Sequence, residues 1–294
     1  MAKNKTTKLD AYIFIDTNIL LDFYRIRRTD ISMKYLEEIE KHKDIIISTS
    51  QVEMEYKKNR QIAILESIGE VKKINNVNLS VPAIISDAKA VEMIKKSKKD
   101  IDEQQKKLKE RIEKILTNPG INDPVYKILQ KIFSHKSPIN LNRENKQRFT
   151  IRRLALKRFM LGYPPRKSND NSIGDAVNWE WIIKCAETSK KHIIIVTRDT
   201  DFGAIHENES FLNDWLKQEF RQRISQQRKL VLTDKLSKAF KLVEIPVTKE
   251  MIEEEENVIK LSSELYQQKL FRDILKKLRE TSFGKDKDDL GDNE

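Results

Sequence analysis

A single cysteine, Cys185, leaves this chain of 294 residues without an intrachain disulfide and points to a reducing compartment. Its setting, "WEWIIKCA", suits a small buried hydrophobe better than a nucleophile. With only 7 glycines, no phosphate-cradling P-loop can be traced. The G-x-S-x-G elbow of a Ser-His-Asp hydrolase is also missing. The four histidines, His42, His135, His192 and His206, show no zinc spacing. No apolar stretch is long enough for a membrane span, and "MAKNKTTKLD" has no signal-peptide core, so a cytoplasmic protein with no membrane partner is expected.

What is abundant is charge. Charged residues make up 35% of the chain, and 57 Lys and Arg against 46 Asp and Glu leave a net charge of +11. Such an excess favours a polyanionic partner through attraction and counterion release. The 38% of hydrophobic residues suffice for a core, organised as one elaborated domain or two at most.

Four runs read as strands: Tyr12 to Ile15, Ile45 to Ile47, His192 to Val196 and Lys229 to Leu232. The first three are continuously apolar, as strands covered on both faces should be, and helical patterns separate them. The expectation is an α/β fold with a mostly parallel sheet, whose functional groups gather at the carboxyl ends of the strands.

The long interval between the second and third strands calls for an inserted module. Within it Ile94, Ile101, Leu108 and Ile115 recur every seventh residue, joined by Val91 and Ile112. This stripe predicts a long helix packed on the one that starts near Gln51. Boundaries follow: a core over 10–247, a helical insertion at about 72–165, and a helical extension with a disordered charged tail over 248–294. Inside the insertion, "RENKQRFTIRRLALKRFM" carries Arg148, Arg152, Arg153, Lys157 and Arg158, suited either to a solvated helix face or to nucleic-acid phosphates.

The stretch "YIFIDTNILLDFYR" sets Asp16 where a buried strand stops. A lone buried carboxylate is costly, so Asp16 needs a cation, hydrogen bonds or acid–base work. In "TSQVEMEYKKNR", Ser50 and Glu53 fit a capping box, which leaves Glu55 on the helix edge turned to the sheet. Asp175 opens "GDAVNWEWIIKCA" on the stripe of Trp179, Ile182 and Ala186, whereas Glu180 and Glu187 read as surface residues. Asp199 and Asp201 follow the strand "HIIIVT" in "RDTDF". A buried ion pair for Glu55 and an Asx-turn for the last two are the bland alternatives. Yet Asp16, Glu55, Asp175 and Asp199 all fall at strand ends or adjoining first helical turns. Four carboxylates share a small volume only with cations present, and hard oxygen ligands select Mg²⁺ or Mn²⁺. The matching chemistry is metal-assisted phosphodiester hydrolysis.

The ordered set "FIDTNILLDFYR", "SQVEMEYKKNR", "GDAVNWEWI" and "IVTRDTDF" resembles the PIN-domain nucleases, particularly large bacterial PIN-like proteins with a helical insertion. The resemblance covers roughly Tyr12 to Val247. It implies a Rossmann-like three-layer fold, divalent cations and cleavage of single-stranded RNA. It carries Asp16, Glu55, Asp175 and Asp199 over as catalytic metal ligands. Asp201 is a further candidate, because family members differ in which aspartate of this loop approaches the metal. Asn18 and Thr197 correspond to groups that hold the carboxylates in place. Asn18 also stands where a phosphatase of the haloacid dehalogenase type needs a second aspartate. Arg25 and Arg60 are placed either to meet phosphates or to form ion pairs.

The sequence therefore reads as a Mg²⁺- or Mn²⁺-dependent endoribonuclease. Alternatives are a nuclease acting on branched or single-stranded DNA, and an inactive nucleic-acid-binding scaffold. Partners on this reading are RNA or single-stranded DNA, with a regulatory protein or antitoxin and a homodimer as further candidates. Roles in toxicity, defence and RNA processing are equally open.

Overall fold

The structure is a computed structural model that describes residues 8–68, 82–85, 87–166, 172–207 and 209–262. The start of the expected insertion near residue 72, the tail and part of the loop over 162–174 lie outside those residues. Chain contacts divide the molecule into two units, Met1–Val247 and Thr248–Glu294. In the second, residues 249–262 are helical.

The first unit begins with β1 (Ala11–Ile15), α1 (Thr17–Leu21), α2 (Thr29–Lys41), β2 (Ile46–Thr49) and α3 (Ser50–Ser67). Then come α4 (Lys89–Thr117), α5 (Pro119–Asn122), α6 (Pro124–Phe133), β3 (Asn140–Leu141) and α7 (Arg148–Met160). The chain returns to the sheet through α8 (Gly174–Thr188) and β4 (His192–Val196), followed by β5 (Gly203–His206), β6 (Glu209–Leu212), α9 (Asp214–Arg223), β7 (Leu230–Thr233) and α10 (Leu236–Leu242). Five strands form a parallel sheet in the order β3-β2-β1-β4-β7, flanked by helices.

The two central strands are the most apolar, with Ile13, Phe14 and Ile193 to Val196 wholly buried. Burial on both faces explains why they read as unbroken hydrophobic runs. Parallel pairing sets the carboxyl ends of β1, β2 and β4 on one edge, so Asp16, Ser50 and Thr197 follow their strands there. The expected α/β fold is therefore found.

Three features differ from expectation. The two-residue β3 is too short for any periodicity to reveal it. Strands β5 and β6 form a separate antiparallel pair whose residues are mostly exposed or half-buried, so no apolar run marks them. They approach so closely that a Cβ on Gly203 would lie 2.0 Å from the Phe211 carbonyl oxygen. The heptad stripe does form one long helix, α4, but Ile94, Ile101 and Leu108 stay between 45 and 47% exposed. A link to α3 is made at the foot of α4, where the Ile115 carbonyl accepts from Arg60.

Among the described residues, no helix is long and apolar enough to cross a membrane.

Candidate metal centre

Asp16 ends β1 and caps α1, its Oδ1 accepting from the Thr17 amide at 2.7 Å. Its Oδ2 accepts from Asn18 Nδ2 at 2.9 Å and from the Thr197 hydroxyl at 2.6 Å. Asn18 also donates to Thr197 Oγ1, and that oxygen accepts from the Asp199 amide. One small network thus joins the end of β1 to the loop after β4. Burial pushes the Asp16 carboxyl up to about 6, with Asp199 and Glu55 raising it further. The hydrogen bonds from Thr197 and Thr17 oppose that rise without cancelling it.

Glu55 comes from the second turn of α3. Its Oε2 accepts from Thr17 Oγ1 at 3.0 Å and its Oε1 from Gln51 Nε2 at 2.6 Å. Gly174, at the start of α8, leaves room for this pair: a Cβ there would fall 2.6 Å from Glu55 Oε1 and 2.7 Å from Gln51 Nε2. The missing side chain lets the first turn of α8, with Asp175, close over α3.

Asp16, Glu55, Asp175 and Asp199 line one cavity of about 340 Å³, together with Thr17, Asn18 and Gln51. A larger cavity of about 1180 Å³, between the β5–β6 hairpin and β7, contains none of these four acids. Asp175, Asp199 and Asp201 each offer an oxygen, and the three oxygens lie within 4.8 Å of one another. That donor set, all carboxylate and half-buried, fits a hard divalent cation. Asp16 and Glu55 stand outside this trio on the wall of the same cavity.

Arg198, between Thr197 and Asp199, anchors the loop by an ion pair with the buried Asp22. Arg25 holds the other oxygen of Asp22 at 3.0 Å and reaches Glu66 at 3.3 Å. Of the two roles open to Arg25, the structure shows the ion pairs. Arg60 is buried, bonded to Asp123 at 2.7 Å and to the Ile115 carbonyl, with Tyr24 and Tyr126 rings beside it. From this buried position it braces α3 against α6.

The basic helix divides in the same way. Arg158 is buried between Glu180, at 2.8 Å, and Glu219, and it donates to the Pro164 carbonyl. Glu180, expected on the surface, is buried because Arg158 and Arg223 neutralise it. Arg152, Arg153 and Lys157 are exposed, whereas Arg148 is half-buried over the Phe149 ring. The capping box also fails. Thr49 caps α3 by accepting from the Val52 amide, and Glu53 pairs with Lys57 at 2.6 Å.

Thr17, Gln51 and Gly174 were missed as site residues. Gln51 had a signal, since it lies one helical turn before Glu55. The other two depend on elements distant in sequence.

The model of a family described as PIN like domain matches residues 12–202. Comparison with curated proteins returned no match, and neither did comparison with solved structures.

Proposed function

The chain belongs to the PIN-like domain family, and from that premise we propose that it is a Mg²⁺- or Mn²⁺-dependent endoribonuclease acting on single-stranded RNA. The observation that carries this reading is the convergence of Asp16, Glu55, Asp175 and Asp199 on one cavity, beside the Asp175, Asp199 and Asp201 trio. A structural scaffold gains nothing from gathering unneutralised carboxylates.

Asp175, Asp199 and Asp201 would hold the cation, with Asp16 contributing charge from the cavity wall. A divalent cation supplies Lewis acidity towards the phosphoryl group and offsets charge on the leaving oxygen. Thr17 and Gln51 fix the Glu55 carboxylate, which orients the attacking water and accepts its proton. Asn18 and Thr197 keep Asp16 from rotating, so the site is preorganised before substrate arrives. The net charge of +11 draws the polyanion in.

The test uses RNA and DNA oligonucleotides of matched sequence, single-stranded and duplex, with Mn²⁺, Mg²⁺ or EDTA. Internal cleavage of single-stranded RNA that requires the cation, and that Asp199→Asn reduces by about 100-fold or more, is the expected result. Preferential cleavage of DNA would transfer the same site to the other substrate. Binding of RNA without cleavage of either strand type would overturn the assignment as an enzyme.

A further inference from the structure

We propose that Tyr163 and Trp215 form a stacking platform for the bases of a single-stranded nucleic acid on its way to the carboxylate cavity; this rests on the nuclease reading above. The two rings lie 5.1 Å apart between centroids, inclined at 40°, and are 40 and 45% exposed. Apolar side chains left in water side by side, rather than singly, are the kind of surface that marks an interaction site. Met160 and Leu161, three and two positions before Tyr163, are exposed as well.

Both rings sit on anchored backbone. The Tyr163 amide donates to the Arg158 carbonyl at the end of α7, and Arg158 itself is clamped to Glu180 on α8 and Glu219 on α9. Trp215 lies in the first turn of α9, its amide bonded to the capping side chain of Asn213. A platform fixed in this way presents its rings without a large ordering cost on binding.

Two observations select the occupant. Charge is the first: the exposed Arg166 lies over the Phe159 ring at 4.5 Å, and around Trp215 the exposed Lys217 offsets the exposed Asp214. The Arg166 guanidinium lies 3.5 Å from where a Cβ on Gly162 would stand, next to Tyr163, and an exposed ring pair with a cation at its side matches a strand with stackable bases and a phosphate backbone. The second is position. The Asn213 amide donates to the Phe202 carbonyl at 2.9 Å, and Phe202 follows Asp201. Chain geometry therefore keeps the Trp215 and Asp201 backbones under about 20 Å apart, within the span of a few nucleotides.

The tryptophans supply the measurement. Trp179 and Trp181 are buried, at 0 and 2% exposure, so a ligand that stacks on the surface quenches Trp215 alone. The full chain is titrated in EDTA, which blocks cleavage, with oligo(U), oligo(dT), an abasic strand of equal length and a duplex. Emission should fall with oligo(U) and oligo(dT) and stay level with the abasic strand. Trp215→Leu should weaken oligo(U) binding roughly 5- to 150-fold, as for the loss of one stacked base, and leave the salt dependence of affinity unchanged. Trp215→Phe should recover most of the affinity.

Equal quenching by the abasic strand, or parent affinity in Trp215→Leu, would overturn the platform. So would emission that depends on protein concentration without any strand, which would mark a contact between copies. Cleavage assays with Mn²⁺ keep the two readings apart. Base-dependent quenching without cleavage supports the platform while removing the nuclease, and cleavage without quenching removes the platform alone.

Discussion

Asp16 shows how a single residue carries opposed demands. Its carboxyl is wholly buried, and its protonation midpoint moves from 3.8 to about 6. A carboxyl whose folded-state value is raised favours the folded state at acid pH and loses that contribution as pH climbs through the raised value. In metal-free protein, the stability of Asp16→Asn relative to the parent should therefore rise between pH 4 and pH 7, by on the order of 3 kcal/mol. Denaturant unfolding in EDTA at several pH values measures it, and parallel pH curves for the two proteins would contradict the burial argument. Gly174 makes a different point. The atoms an added methyl would meet belong to the ends of the Glu55 and Gln51 side chains, which can swing aside. Gly174→Ala is expected to fold within about 1 kcal/mol of the parent while displacing Glu55 and lowering cleavage at least 10-fold. Loss of stability with full activity would mean that the glycine serves the backbone instead.

At the scale of elements, α7 combines two roles on two faces. Its inner face locks Arg158 to Glu180 and Glu219, and removing one partner of such a buried pair costs about 3–5 kcal/mol. Its outer face presents Arg152, Arg153 and Lys157. Changing these three to Gln should weaken RNA binding uniformly across sequences and flatten the salt dependence by about 0.7 per lost phosphate contact. Cleavage at saturating RNA should persist, because none of the three lines the carboxylate cavity. Affinities at two or more salt concentrations decide the matter, and an unchanged slope would leave this face as a solvated one. The Tyr24, Tyr56, Asp123 and Arg60 cluster is the corresponding brace between α3 and α6.

For the whole molecule, a cation held by the acid cluster would couple binding to folding. Oxygens of Asp175, Asp199 and Asp201 within 4.8 Å of one another repel in the folded chain and separate in the unfolded one. A cation that binds only the folded form adds about 2.7 kcal/mol at one hundred times its dissociation constant. Thermal unfolding should therefore shift upward by several degrees as Mn²⁺ replaces EDTA, and the Asp175→Asn, Asp199→Asn double variant should lose most of that response. Identical midpoints for the parent with and without Mn²⁺ would exclude the trio as a site.

Periodicity along the chain was enough to place β1, β2, β4 and β7, to make α4 a single long helix, and to turn Glu55 rather than Glu53 towards Asp16. These are local matters, because alternation and the 3.6-residue turn depend only on neighbours in sequence. The edge on which the acids meet also followed, since parallel strands joined by helices share a carboxyl end. The choice of cap at Thr49 over Ser50 turned on one residue of strand length, which propensity does not resolve. The ion pairs of Arg60 and Arg158 and the burial of Glu180 were decided only by tertiary structure. Arg60 meets Asp123 across 63 positions, and Arg158 meets Glu219 across 61. Whether a charged side chain bonds substrate or another side chain depends on what the fold sets opposite it, and no pattern within one segment contains that partner.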